Sequence, residues 1–174
     1  MRQVKLYIAA SLDGKIAGAN HELEWLPDPL EDDYGYGALM DSVDTLLMGY
    51  TTYEVCTGLA DWPYGGKTSY IFTRDGSKPC ISDAELITED PVSFTRKLKE
   101  QEGKDIWLVG GGNIVTQVHD AGLIDEYIIA IVPIVLGKGY ELFPNINREQ
   151  ALQLNKHKVY GNGMALMYYS TKTT

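Results

Sequence analysis

Gly110, Gly111 and Gly112 follow an apolar run at residues 106–109 and precede a helix-compatible stretch that begins at Asn113. Glycines between a strand and a helix suit an anion such as phosphate. Without side chains the backbone comes close, and the free N–H groups and dipole of the helix N-terminus attract negative charge. A tight turn whose backbone only glycine adopts is the alternative reading. Met48-Gly49-Tyr50-Thr51-Thr52 repeats the grammar of buried strand, glycine, hydroxyl residue and helix, with a plain helix cap as its alternative. Two such turns at the carboxyl ends of strands in one sheet face one crevice, and together they fit a dinucleotide. Neither a GxGxxG fingerprint nor a GxxxxGK[ST] loop occurs, so a dinucleotide would be held by a fold other than those.

Other chemistry has fewer carriers. Asp32-Asp33 precedes Tyr34 and Tyr36, and a carboxylate beside aromatics is suited to proton donation. An acidic first helical turn explains Asp32 equally well. His21, His119 and His157 lack metal-ligand spacing and read as surface residues, so no metal site is expected. Cys56 and Cys80 form no CxxC pair and read as free thiols of a reduced, cytoplasmic setting.

These residues need elements to position them. Residues 4–10 read as a buried strand ending at an Asp13-Gly14 turn, and 17–29 as loop, broken by Gly18, Asn20, Pro27 and Pro29. A helix is expected over 31–42, a strand at 44–48, a helix at 51–59 with Thr51 as its N-cap, and a strand at 68–73. Asp90-Pro91 opens a helix to about Gln101, with Asp at the N-cap and Pro first in the helix. A strand at 105–109, a helix at 113–121 and a long apolar strand at 125–136 follow. A hairpin pairs 155–160 with 164–171 across Gly161-Asn162-Gly163. Strands alternating with helices and then a terminal hairpin predict an α/β fold. Its central sheet is mostly parallel, flanked by helices, with antiparallel C-terminal strands.

At 174 residues the chain is expected to form one domain, and a formal net charge of −9 argues against nucleic acid or an anionic membrane as partner. A phosphate-bearing ligand must then be held by local groups, since the overall field repels it. The N-terminal stretch is too short and alternating for a secretory signal. The apolar stretch at 127–136 suggests either a homodimer surface or a strand buried within one subunit.

Taken together, several of these segments resemble a known family. Residues 9–17 (AASLDGKIA) are similar to the opening segment of the riboflavin-biosynthesis reductase domain. Trp25-Leu26-Pro27 resembles the loop tryptophan of dihydrofolate reductases, and residues 48–54 (MGYTTYE) and 106–115 (IWLVGGGNIV) resemble their two glycine turns. Asp125-Glu126 with residues 133–139 (PIVLGKG) is again similar to the reductase domain. The resemblance implies a dihydrofolate reductase-like fold that binds NADPH across the carboxyl edge of its sheet. It implies Ala10, Ile16, Ala17 and Gly18 beside the nicotinamide; Gly49, Tyr50, Thr51 and Thr52 at one phosphate region; and Gly111, Gly112, Asn113 and Ile114 at the pyrophosphate. Thr73 and Arg74 would lie by the adenosine ribose and its 2′-phosphate. Ser11, Asp13, Trp25, Asp33 and Tyr34 would meet the substrate, with Asp33 as anchor and proton donor.

Two departures stand out. Tyr50 occupies the position where dihydrofolate reductases place the arginine for the 2′-phosphate, leaving Arg74 as the nearby cation. From Asp28 to Tyr53 there is no Arg or Lys to meet a phosphorylated substrate. The reading is therefore an NADPH-dependent reductase that delivers hydride to a small heterocyclic, imine or carbonyl substrate. It resembles the 5-amino-6-(5-phosphoribosylamino)uracil reductase domain. Dihydrofolate reduction and a nucleotide-binding module without turnover are the alternatives.

Overall fold

The computed structural model describes residues 1–28, 30–59 and 62–172. Pro29, among the expected loop breakers, lies outside them. In chain order the strands are β1 (Val4–Ser11), β2 (Lys15–Ala17), β3 (Val43–Gly49), β4 (Thr68–Phe72), β5 (Ala84–Ile87), β6 (Asp105–Gly110), β7 (Glu126–Val132), β8 (Tyr140–Glu141), β9 (Leu152–Val159) and β10 (Ala165–Thr171). The helices are α1 (Tyr36–Ser42), α2 (Tyr50–Leu59), α3 (Pro91–Glu100) and α4 (Gly112–Asp120).

Eight strands form one sheet in the order β5-β4-β3-β6-β1-β7-β10-β9. The pairs from β5 through β7 are parallel, and β10 joins β7 and β9 antiparallel. This is the mostly parallel α/β sheet with antiparallel C-terminal strands expected from the sequence. Strand alternation splits the core. Leu46, Met48, Ile71 and Trp107 pack with α1 and α2 on one face, while Leu6, Ala10, Leu47 and Leu108 pack with α3 and α4 on the other. Tyr127, Ile128 and Ala130 of β7 are buried between β1 and β10, whereas Val135, beyond the end of the strand, is 66 % exposed.

The helix starts follow local chemistry. Asp90 caps α3, its carboxylate accepting the Ser93 N–H at 2.8 Å, with Pro91 in the first turn. The helix expected from residue 31 starts only at Tyr36, because Gly35 turns the chain at φ +81°. The long apolar strand stops at Val132, before Pro133, which cannot donate to a ladder. Helix α2 begins at Tyr50, which places Thr51 inside its first turn rather than at the cap.

The amino ends of the strands are closed by ion pairs. Lys99 pairs with Asp125, whose carboxylate also accepts the Val4 N–H at 2.7 Å, and Arg2 pairs with Asp44. The carboxyl ends are tied by the segment that the sequence had offered to substrate. Ser11 Oγ, 1 % exposed as a residue, donates to Asp13 at 2.7 Å. The Asp13 carboxylate in turn accepts the Leu136 N–H at 3.0 Å and the Gly137 N–H at 2.8 Å. Ser11 and Asp13 therefore fasten the end of β1 to the loop after β7. Their polar atoms are engaged in that clamp, and neither residue lines the cavity described below.

The Ser11 hydroxyl, with the Leu136 and Gly137 N–H groups, lowers the Asp13 carboxyl from 3.8 to about 2. A carboxyl lowered on folding stabilises the fold above its unfolded pKa, and that contribution disappears as pH falls through the folded value. Asp13→Asn is therefore expected to be less stable than wild type at neutral pH, with the gap closing between about pH 4 and pH 2. Urea denaturation across that range measures it; a gap independent of pH would mean that the clamp does not depend on the charge.

Candidate active site

A cavity of about 950 Å³ wraps over the carboxyl edge of the sheet, at the upper end of the ~300–1,000 Å³ usual for small-molecule sites. Its middle is built by the two glycine turns. Gly49, Tyr50, Thr51 and Thr52 line it where β3 passes into α2, and Gly111, Gly112, Asn113 and Ile114 where β6 passes into α4. No side chain caps α4, whose N-cap is Gly111. The Gly112 and Asn113 N–H groups of its first turn have no acceptor within the helix and are available to a ligand, while the Ile114 N–H donates to the Gly111 carbonyl at 3.0 Å.

The three glycines are bare for three different reasons. Gly110 sits at φ +130°, where L side chains are strained. Gly112 is crowded by protein, since a Cβ there would lie 2.1 Å from the Glu141 carbonyl oxygen and 2.9 Å from Pro144 Cδ. Gly111 has φ −75° and ψ −172°, which any residue adopts. A Cβ on it would find Thr52 Oγ1 at 3.3 Å and Ile16 Cδ1 at 4.0 Å, both on residues that line the cavity. Gly110 shapes the turn, Gly112 admits the segment after β8, and Gly111 is the one whose missing side chain leaves room between the two turns.

At one end, beyond β4 and β5, the cavity is polar. Thr73, Arg74, Asp75 and Lys78 line it with residues 88–91. Among the described residues Arg74 makes no ion pair, and Lys78 Nζ lies over the Tyr50 ring, 4.0 Å from its centroid. The other end, on the α2 face of β1 and β6, is aromatic. Tyr7, Trp107, Val109, Cys56 and Tyr64 line it, with Leu23 and Leu26 from the loop after β2. Trp107 stands edge-on to Tyr7 at 6.0 Å and to Tyr64 at 5.3 Å. Burial, reinforced by neighbours, raises the hydroxyls of Tyr7 and Tyr64, and burial raises the Cys56 thiol, so all three stay neutral at ordinary pH.

Of the expected cofactor residues, Ile16, Ala17, Thr73 and Arg74 line this cavity together with both glycine turns. Ala10 and Gly18 do not. Ala10 is 1 % exposed and faces the α3–α4 core, while its neighbour Ala9 faces the cavity; on a strand, one residue changes the face. The Gly18 Cα faces the side chain of Glu22.

The residues expected at the substrate are placed elsewhere. Asp33 lies outside the cavity lining, its carboxylate accepting the Gly37 N–H at 2.9 Å in the first turn of α1. Tyr34 is buried, at φ +50°, and packs edge-on to Tyr160. Its carbonyl accepts the Tyr7 hydroxyl at 3.0 Å, so Tyr34 stands behind the wall rather than in it. Trp25 donates to the Glu22 carbonyl at 3.0 Å and packs on the core, leaving Leu23 and Leu26 to face the cavity. His119, expected on the surface, is 6 % exposed and bonded at 2.9 Å to both Tyr127 Oη and the Arg148 carbonyl. His21 stacks on Tyr140 at 4.3 Å, and both line the cavity.

The aromatic residues were not singled out in the sequence. Tyr7 and Ala9, like Trp107 and Val109, sit two apart on strands and so share a face, a signal present but not distinctive. Tyr64 lies in an irregular stretch and gives none.

The glycine assignments separate on the unliganded protein. Gly112→Ala drives a Cβ into backbone and is expected to cost about 1–3 kcal/mol, lowering the melting temperature by roughly 2–4 °C for each. Gly111→Ala is expected to melt close to wild type. The reverse order in a thermal melt would refute the division of roles.

The profile of the RibD C-terminal domain matches residues 2–166. The uncharacterised protein YwjB of Bacillus subtilis is 39 % identical over 171 residues, covering 96 % of this chain and 97 % of YwjB. A crystal structure from Shewanella sp. PV-4, provisionally described as a riboflavin biosynthesis protein, superposes with TM-score 0.84 at 28 % identity, covering 98 % of this chain and 99 % of that one. The Thermotoga maritima diaminohydroxyphosphoribosylaminopyrimidine deaminase/5-amino-6-(5-phosphoribosylamino)uracil reductase shares the fold, with TM-score 0.76 at 16 % identity over 98 % of this chain and 57 % of that one. With sheet order, glycine turns and cavity in place, this chain belongs to the RibD C-terminal domain family.

Proposed function

We propose that the chain is a reductase that uses a nicotinamide dinucleotide, with NADPH as the donor, to reduce a small ring-bearing imine or carbonyl compound. The observation that carries the reading is Gly111, bare toward the cavity at φ −75°, between two strand-to-helix turns. The cofactor fits the residues present. Its diphosphate would lie on the uncapped N-terminus of α4 and beside the Thr51 and Thr52 hydroxyls. Its adenosine phosphate would lie by Arg74 and Lys78, and its nicotinamide toward Ile16, Ala17 and Ala9. When bound, the reduced nicotinamide supplies a hydride to the carbon of a C=N or C=O bond, and a proton from solvent or a lining hydroxyl completes addition at the heteroatom.

The chain's own part is binding, orientation and exclusion of water. A carboxylate anchor of the dihydrofolate reductase kind is not supported, because Asp33 lies outside the cavity lining and one of its oxygens accepts the Gly37 N–H. A nucleotide-binding module without turnover has no use for the enclosed aromatic end.

Wild type is expected to gain about 2.7 kcal/mol of stability at NADPH near 100 times Kd, and Gly111→Ala to lose most of that gain. Arg74→Ala should weaken NADPH about ten-fold, as loss of a charge-assisted phosphate contact does, and spare NADH. Thermal shifts and titrations with both dinucleotides measure this. A full shift in Gly111→Ala would remove the diphosphate from that turn, and equal losses for NADPH and NADH would remove Arg74 from the 2′-phosphate.

A further inference from the structure

The cations of the cavity are unevenly placed. Among its described lining residues the lysines and arginines are Arg74 and Lys78, both at the β4 end. None lines the aromatic end, and three lysines close in sequence to its walls or packed behind them are committed elsewhere. Lys67, three residues after Tyr64, donates at 2.7 Å to the Met40 and Val43 carbonyls. Lys5 pairs with Asp105, and Lys158 with Asp32. The ionisable groups in the wall itself, Tyr7, Cys56 and Tyr64, are neutral. A phosphate enclosed there would lose water without gaining an opposite charge, which strongly disfavours it, and the net charge of −9 adds to the penalty.

The same wall offers a flat surface and one polar handle. The Tyr7 hydroxyl donates to the Tyr34 carbonyl and the Trp107 Nε1 to the Tyr7 carbonyl, both at 3.0 Å. Tyr64 Oη meets only Cys56 Sγ, at 3.6 Å, among the described residues. A thiol is a weak partner, so the Tyr64 hydroxyl is available to a better acceptor. Trp107 stands edge-on to both Tyr7 and Tyr64, and the exposed ring surface beside such pairs receives a further ring by its face or its edge.

We propose that the aromatic end takes a flat, uncharged ring compound whose carbonyl or ring nitrogen accepts a hydrogen bond from Tyr64, and that it discriminates against the phosphorylated form of the same compound. The inference rests on the reductase reading and names its substrate class. It departs from the phosphoribosyl substrate in the name of the Thermotoga maritima enzyme.

The test uses the full chain saturated with NADPH, and as probes 5-amino-6-(5-phosphoribosylamino)uracil and the same compound without its phosphate. Calorimetric titration gives each Kd, and NADPH absorbance follows turnover. The unphosphorylated probe is expected to bind at least ten-fold more tightly. Tyr64→Phe should weaken it about five- to ten-fold, as loss of one hydrogen bond does, and leave the NADPH Kd unchanged. Leu26→Arg, at the exposed lip of this end, should shift the preference about ten-fold toward the phosphorylated probe. Equal or tighter binding of the phosphorylated probe by wild type overturns the proposal, as does binding of neither probe by protein that holds NADPH. Failure of NADPH itself to bind would overturn the underlying reductase reading and the inference with it.

Discussion

The fold turns on how closely backbone approaches backbone at the carboxyl end of β6. A single Cβ at Gly112 would meet the Glu141 carbonyl oxygen at 2.1 Å. The segment that follows β8 can therefore lie against the start of α4 only because that side chain is absent. Strand β8, which leads into that segment, pairs with β2, and so sets the position of Ile16 and Ala17 at the cavity mouth. Gly111, one residue earlier, keeps the same turn open on the opposite side. Sheet edge, helix terminus and cavity floor thus share one short piece of chain.

Electrostatics divides the cavity along its length. An acidic protein that binds an anion must use local groups, since long-range attraction is lacking. Under the proposed function those groups would be an uncapped helix terminus, two threonine hydroxyls and, beyond β4, Arg74 and Lys78. Toward β1 the fixed charge disappears and neutral aromatic surface replaces it. Arg74 and Lys78 share the polar end with Asp75, Glu89 and Asp90, so an anion would be held there by single contacts, while a flat neutral ring matches the aromatic end.

Much of the frame was readable from sequence because its signals are local. Asp90-Pro91 announces α3 through cap chemistry, and the terminal hairpin through its glycine turn. Buried parallel strands announce themselves as apolar runs closed by Gly49 and Gly110. Strand β5 (AELI) gives little signal because only Ile87 of its residues is β-branched and none is aromatic. The glycine turns are legible, yet not the different duties of Gly111 and Gly112, since these depend on residues distant in sequence, Thr52 and Ile16 for the first and Glu141 and Pro144 for the second. Several residues expected at cofactor or substrate lie off the cavity lining for geometric reasons. Ala9 and Ala10 differ only in the face of a strand, Trp25 and Leu26 only in the direction of a loop. Gly35 starts α1 late and leaves Asp33 capping its own helix.

The central claim is that the two glycine turns together form the seat of a dinucleotide diphosphate. Backbone amide resonances of ¹⁵N-labelled protein, followed through a titration with NADPH, test it most directly. The account predicts saturable shifts at Thr51, Thr52, Gly111, Gly112 and Asn113 with one common Kd, and little change along β9. Saturable binding that left the amides of both turns unmoved would contradict it.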